Sequence, residues 1–273
     1  MADGAITFDT LVSDLRGIGL RESDIVYVHS SMKKVGWIEG GIVTLVEAFL
    51  HVLGSEGTLA VPTHTYSFTG KDEPPFDREN SICQTGAFCE AVRKYPGAKR
   101  SGNASHSSAA VGKLAEYITS NHDPANAVGY ESPLYRIYVS GGKVLLLGVS
   151  QVSNTMIHLA EFLSGVPYTD LHYDSSWNNS THEILADGTI VETVQTKFCG
   201  CSGKFKIMDE ILSAAGAMTR GMIGDADSRL IDAKYMVDAA TELIKKTPEI
   251  FFCDNARCPC CPPRRAYMKE KGY

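Results

Sequence analysis

The chain has 273 residues, 44% hydrophobic and 21% charged, with a formal net charge of −6. This composition is ordinary for a globular protein and sufficient for a sizeable core, so intrinsic disorder is not expected; the length admits one large domain or two small ones. The acidic balance argues against a phosphate-tracking surface, and hence against nucleic acid as a partner, while remaining compatible with a cationic small molecule.

The first twenty residues, MADGAITFDTLVSDLRGIGL, lack a basic region followed by an apolar one, so no secretory leader is expected. No apolar run approaches the roughly 18 residues a membrane span requires. Both points favour the cytoplasm and no membrane partner. In that setting the eight cysteines are expected as reduced thiols or metal ligands rather than as a disulfide framework.

In chain order, Phe8, Leu11, Leu15 and Ile18 lie on one helical face, with Thr7 placed to cap a helix over 8–18. DIVYVH at 24–29 reads as a buried strand, 42–53 as a helix, and TLAVPT at 58–63 as the next strand. Strand, loop, helix, strand is a βαβ unit and implies parallel pairing. Residues 64–82, rich in polar residues, Pro and Gly, read as a long loop, either functional or merely superficial. Helices are expected over 86–94 and 114–120. KVLLLGV at 143–149 is apolar on both faces, as a central strand must be, and a helix follows over 154–163. Short strands at 182–185 and 189–196, joined by Asp187-Gly188, predict an antiparallel hairpin. Further helices are expected over 206–215 and 236–247. The expectation is a three-layer α/β/α fold with a mainly parallel central sheet and a C-terminal antiparallel hairpin extension. One domain would span 1–252, followed by a Cys- and Pro-rich tail over 253–273.

Three segments could carry chemistry. In NTMIHLAE, Thr155, His158 and Glu161 recur at spacing three and so share a helix face. A carboxylate beside an imidazole fixes its tautomer and stabilises its protonated form, which makes a base; the alternative is a helix histidine with an incidental ion-pair partner. In HSSM at 29–32, small hydroxyl residues at a strand end precede Gly36, Gly40 and Gly41, a pattern that lets backbone N–H groups approach an anion or simply makes a turn. In RSGNASHSS at 100–108, Arg100 offers a fork of donors and Ser101, Ser105, Ser107 and Ser108 offer hydroxyls. His106 could polarise a carbonyl, although the whole segment also reads as a polar loop.

Neither G-x-S-x-G nor H-E-x-x-H occurs, which disfavours a covalent serine hydrolase and a zincin. No metal is expected among the site residues. Cys253, Cys258, Cys260 and Cys261 crowd the tail and Cys199 and Cys201 add two thiols, but the spacing does not read as C-x₂-C repeated twice. Adjacent Cys260 and Cys261 could not readily hold one ion, so free or tail-pinning cysteines are favoured over structural zinc.

Taken in order, these segments resemble the aminoglycoside 3-N-acetyltransferase family from about Ser13 to Phe252. The likeness rests on VHSSMKKVGWIEGG, GSEGTLAVPTHTYS, GAFCEAVRKYPGAKRSGNASHSSAAVG, ESPLYRI, LLLGVSQVSNTMIHLAEF and GMIGDADSRLIDAKYMVDAATELI. The resemblance implies acetyl transfer from acetyl-CoA to an aminoglycoside amine at the 3-N position, by direct attack in a ternary complex. His158, in the T-x-x-H-x-x-E signature with Thr155, would be the general base and Glu161 its orienting partner. CoA would lie along Ser30, Ser31, Met32, Arg100, Ser101, His106 and Ser107, and Ser30, Ser31 and Ser107 would offer donors to the oxyanion. The chain departs from the family pattern at Asn103-Ala104, where His-Pro is common, and at 150–153. An amine acceptor other than an aminoglycoside, or a thioesterase or hydrolase on the same scaffold, therefore stays open. So does a homo-oligomer.

Overall fold

The structure is a computed structural model that describes residues 5–65, 74–174 and 179–273. Helix α1 (Phe8–Ile18) begins at Thr7, whose hydroxyl accepts from Thr10 N, and buries Leu11, Val12, Leu15 and Ile18. It leads into β1 (Ile25–Ser30), the short α2 (Met32–Val35), α3 (Ile42–Leu53) and β2 (Thr58–Pro62). Next come β3 (Phe76–Asp77), α4 (Ala87–Arg93), β4 (Lys99–Arg100), β5 (Ser108–Gly112), α5 (Ala115–Thr119) and α6 (Pro133–Val139). The chain continues through β6 (Lys143–Leu147), α7 (Met156–Ser164), β7 (Ser180–Ile184), β8 (Ile190–Val194) and α8 (Ile207–Ala214). It closes with β9 (Met218–Ile223), β10 (Ala226–Asp232), α9 (Ala233–Lys246) and α10 (Cys261–Glu270).

Seven strands form the central sheet in the order β4-β5-β2-β1-β6-β10-β9. The parallel pairings are β2 with β1 and β1 with β6, and antiparallel neighbours flank them. Counted by direction, β4, β2, β1, β6 and β9 run one way and β5 and β10 the other. The alternation of a strand assigns each side chain to a layer. Val26, Val28, Leu145 and Leu147 face α1, α3 and α4, whereas Tyr27, Val144 and Leu146 face α5 to α9. Both faces are covered, which is why the runs at β1 and β6 are apolar throughout. A second sheet, β3-β7-β8, contains the expected hairpin around Asp187-Gly188.

Several elements had no clear sequence signal. Strand β5 is Ser- and Ala-rich and extends because it pairs along β2, a tertiary override of weak local propensity. The β9–β10 hairpin sits at one sheet edge beside α1, and α6 begins at Ser132, which caps it with Pro133 in its first turn. The prolines of the tail likewise open α10 rather than break it. Cys260, Cys261 and Met268 of that segment pack into the same core as Phe251 and Phe252. Of the loop expected over 64–82, residues 66–73 lie outside the described residues, as do residues 1–4 of the N-terminal stretch. Among the described residues no helix is long and apolar enough to cross a membrane.

Candidate active site

The ends of β1 and β2 and the start of α7 open into a cavity of about 760 Å³. Its wall includes His29 and Ser30 from β1, Pro62 at the end of β2 and His64 beyond it, Ser105 and His106 before β5, Thr155 at the N-cap of α7 and His158 on it, and the loop 199–203. This is the carboxyl edge of the parallel strands, where an α/β sheet leaves a crevice.

His158 lies against Phe205, ring centroids 4.9 Å apart, and its Nδ1 is 2.6 Å from Glu161 Oε2. The i, i+3 spacing on α7 brings the two side chains together. Glu161 also accepts from the Tyr168 hydroxyl at 3.1 Å and from Gly200 N–H at 2.9 Å. Burial alone would raise this carboxyl. The charge and hydrogen bond of His158, the Arg264 charge and the Gly200 amide outweigh burial and hold it below the usual carboxylate range. An ionised carboxylate accepts only, so in the neutral form of the imidazole Nδ1 is the nitrogen that carries the proton and Nε2, across the ring, has the lone pair. Thr155 lines the cavity too, with its hydroxyl 3.5 Å from His29 Nε2.

Other histidines gather round this dyad. Burial lowers His29 and His106 to about 3, and His64 well below its ordinary value, so all three are neutral near pH 7. His106 packs on His64 with centroids 4.4 Å apart, and its Nε2 lies 3.8 Å from the Cys199 thiol. That pair does not make a cysteine nucleophile, because desolvation and the nearby Glu161 charge push the thiol pKa up. Lys197, paired with Asp170, also lines the cavity, and no carboxylate stands among the described lining residues.

The cofactor-contact expectations divide. Ser30 and His106 line the cavity, whereas Ser31 and Met32 do not. Arg100 is not among the lining residues either. It is 8% exposed and donates from Nε to Thr63 Oγ1 and Ser107 Oγ, from Nη1 to the carbonyls of Arg78 and Ser81, and from Nη2 to the Thr63 carbonyl. Its fork ties the residue after β2 to the segment after β3, and each of its three nitrogens has a protein acceptor. Ser101 and Ser107 are fully buried and also turn inward, Ser101 to His122 Nδ1 at 3.0 Å and Ser107 to the Thr63 carbonyl at 2.7 Å. Neither serine is among the lining residues of the cavity.

The chain matches the profile described as aminoglycoside 3-N-acetyltransferase over residues 27–245. The chain belongs to that family. Aminoglycoside N(3)-acetyltransferase VII of Streptomyces paromomycinus is 32% identical over 270 residues, covering 87% of this chain and 91% of that protein. The solved apoenzyme of aminoglycoside acetyltransferase AAC(3)-IVa superposes with a TM-score of 0.82 at 30% identity, covering 97% of this chain and 98% of that one. AAC-IIIb, solved as a binary complex with CoASH, superposes with a TM-score of 0.77 at 27% identity, covering 89% and 97%.

The segments at 103–106 and 150–153 both reach the cavity of this aminoglycoside 3-N-acetyltransferase family member. Asn103 is fully buried, and its Oδ1 accepts from Ser105 N, Ser105 Oγ and His106 N, an Asx-type turn that presents Ser105 and His106 to the cavity. Gln151 and Val152 form a 3₁₀ turn with Ser153, and both Val152 and Ser153 reach the cavity wall. Sequence reasoning missed His29, His64, Tyr168 and Gly200. His29 stood inside the quoted HSSM motif and carried a usable signal. Gly200 carried none: its place follows from close approach, since a Cβ there would collide with the Glu161 carboxylate.

Proposed function

We propose that this chain transfers an acetyl group from acetyl-CoA to an amino group of an aminoglycoside, at the 3-N position, with His158 as the general base. The carrying observation is the His158–Glu161 pair, 2.6 Å apart, with His158 on the wall of a cavity of about 760 Å³. Support for the donor and acceptor comes from the named relative and from the neighbour bound to CoASH.

An alkylammonium has a pKa near about 10, so the acceptor must lose a proton before its nitrogen can attack. With that first proton released to solvent, Nε2 of His158 takes a second proton from the neutral amine as its nitrogen bonds to the thioester carbon, and Glu161 stabilises the resulting imidazolium. Collapse of the tetrahedral adduct breaks the carbon–sulfur bond, and the imidazolium returns the proton to the departing sulfur. Amide and free thiol result, with His158 neutral again. Ser30, at the end of β1 on the cavity wall, would offer its hydroxyl to the oxyanion. No serine or cysteine needs to carry the acetyl group.

The test is thiol release from acetyl-CoA with a panel of aminoglycosides and simple amines. Aminoglycoside-dependent turnover supports the reading. Release of CoA at the same rate without any acceptor would replace it with a thioesterase, and turnover confined to the simple amines would move the acceptor class.

A further inference from the structure

Six cysteines at 199, 201, 253, 258, 260 and 261 have no part in acetyl transfer, and the fold sorts them. The Sγ atoms of Cys201, Cys253, Cys258 and Cys261 all lie within 4.8 Å of one another. Four thiolates held at about 2.3 Å from one tetrahedral ion sit about 3.8 Å apart, so closing the cluster needs a contraction of about 1 Å at most. We propose that Cys201, Cys253, Cys258 and Cys261 hold one structural Zn²⁺ ion, and that this ion anchors the 199–203 loop behind the catalytic pair.

The ligand set fits zinc. Cys258 and Cys261 are a C-x₂-C pair that the intervening Cys260 obscures in the sequence, and Cys261 is the first residue of α10. Cys260, which is fully buried, is not one of the four clustered thiols, so the two adjacent cysteines need not share an ion. Backbone amides already aim at two of the sulfurs: Cys253 N–H at Cys261 Sγ, 3.3 Å, and Gly203 N–H at Cys201 Sγ, 3.4 Å. Such N–H to sulfur bonds are the outer contacts that orient thiolate ligands and spread their charge. Four sulfurs close the tetrahedron and leave no position for water or substrate, which makes the ion structural rather than catalytic. As each zinc–sulfur bond forms, a thiol proton passes to solvent, and no oxidation state changes.

The cluster joins segments far apart in sequence, and both lead to Glu161. Cys201 directly follows Gly200, whose N–H donates to Glu161 Oε2 at 2.9 Å. One turn beyond Cys261, the buried Arg264 donates from Nη2 to the carbonyls of Cys199 at 3.0 Å and Leu171 at 2.6 Å. An ion at the four sulfurs therefore fixes the loop from one side while α10 grips it from the other. The metal assignment stands on the thiol geometry and does not depend on which acyl transfer the cavity performs.

The full chain, purified under reducing, chelator-free conditions, is expected to carry one zinc per chain by elemental analysis. Replacement by Co²⁺ should give thiolate-to-metal charge-transfer bands and the visible bands of a tetrahedral ion. C201S and C258S should lose the metal, while C260A and C83A keep it. Zinc-free protein, an octahedral cobalt spectrum, zinc retained in both C201S and C258S, or disulfides among these four cysteines by mass spectrometry would each overturn the site. If the serine variants fail to fold, metal content and cobalt spectrum of the unmodified chain decide alone. For the anchoring role, chelator treatment should speed hydrogen exchange at Gly200 N–H by about tenfold or more while amides in β1 stay protected. Unchanged protection at Gly200 would show that the ion does not hold the loop.

Discussion

Two polar clusters near the cavity end of the central strands, one around His158 and Glu161 and one around Arg100 and Ser107, use similar side chains to opposite ends. Both are buried and both are densely hydrogen-bonded. Behind the first, Tyr168 and Gly200 donate to Glu161, so the ionised carboxylate accepts from Nδ1–H and the neutral imidazole presents Nε2 on the other side of the ring. In the second, every guanidinium nitrogen ends on a protein oxygen and Ser107 faces Thr63. A catalytic cluster differs from a structural one in where its remaining hydrogen-bonding capacity points, and residue type does not reveal that.

The largest effect that tests this contrast is His158→Ala. Loss of a general base should lower kcat about 10³-fold, inside the usual range for such residues, while the CoA-induced rise in melting temperature survives. Retained turnover would remove His158 from its role. Next comes Arg100→Met, which strands the carbonyls of Thr63, Arg78 and Ser81 without their donor. It should cost about 3 kcal/mol of stability in urea unfolding and leave the KM for acetyl-CoA within about twofold. A raised KM with intact stability would return Arg100 to the cofactor's phosphates.

The same contrast explains what the sequence could and could not disclose. The buried strands β1 and β6 and the helices α1 and α3 announced themselves because period and burial agree there. The dyad was legible too, since three residues on a helix always fall on neighbouring positions. The inward turn of Arg100 and Ser107 had no such signal, because β4 is only two residues long and Ser107 just precedes β5, and the path of the chain from β3 to β5 decides it. Gly200 was invisible for the same reason: its contact with Glu161 spans 39 residues of sequence. The ends of α10 and the β9–β10 hairpin likewise depend on long-range packing rather than local signal.

Gly200→Ala probes the hidden half of the dyad. An added methyl group would meet the Glu161 carboxylate, so either the loop or the carboxylate must shift. The expected result is a kcat reduced about 10- to 100-fold with KM little changed, the cost of a base held less well by its partner. Glu161→Gln keeps the shape and removes the charge, and should fall in the same range. If Gly200→Ala retains full activity, the amide contributes nothing to orienting Glu161.

The smallest predicted effect, per residue, is acid sensitivity, and it again separates cavity from interior. Burial holds His29, in the cavity wall, and His122, behind Ser101, at about 3 against an ordinary 6.5. Between those values the unfolded chain binds a proton at each and the folded chain does not, so stability rises with pH there and is lost on acidification below 6.5. Each site contributes up to about 1.4 kcal/mol per pH unit. In urea titrations from pH 6 to 5, His122→Gln should flatten the slope by about that amount while neutral-pH turnover holds, because His122 lies outside the cavity lining. An unchanged slope would mean that His122 protonates freely in the folded chain, and the inward cluster around Ser101 would then be far wetter than its burial implies.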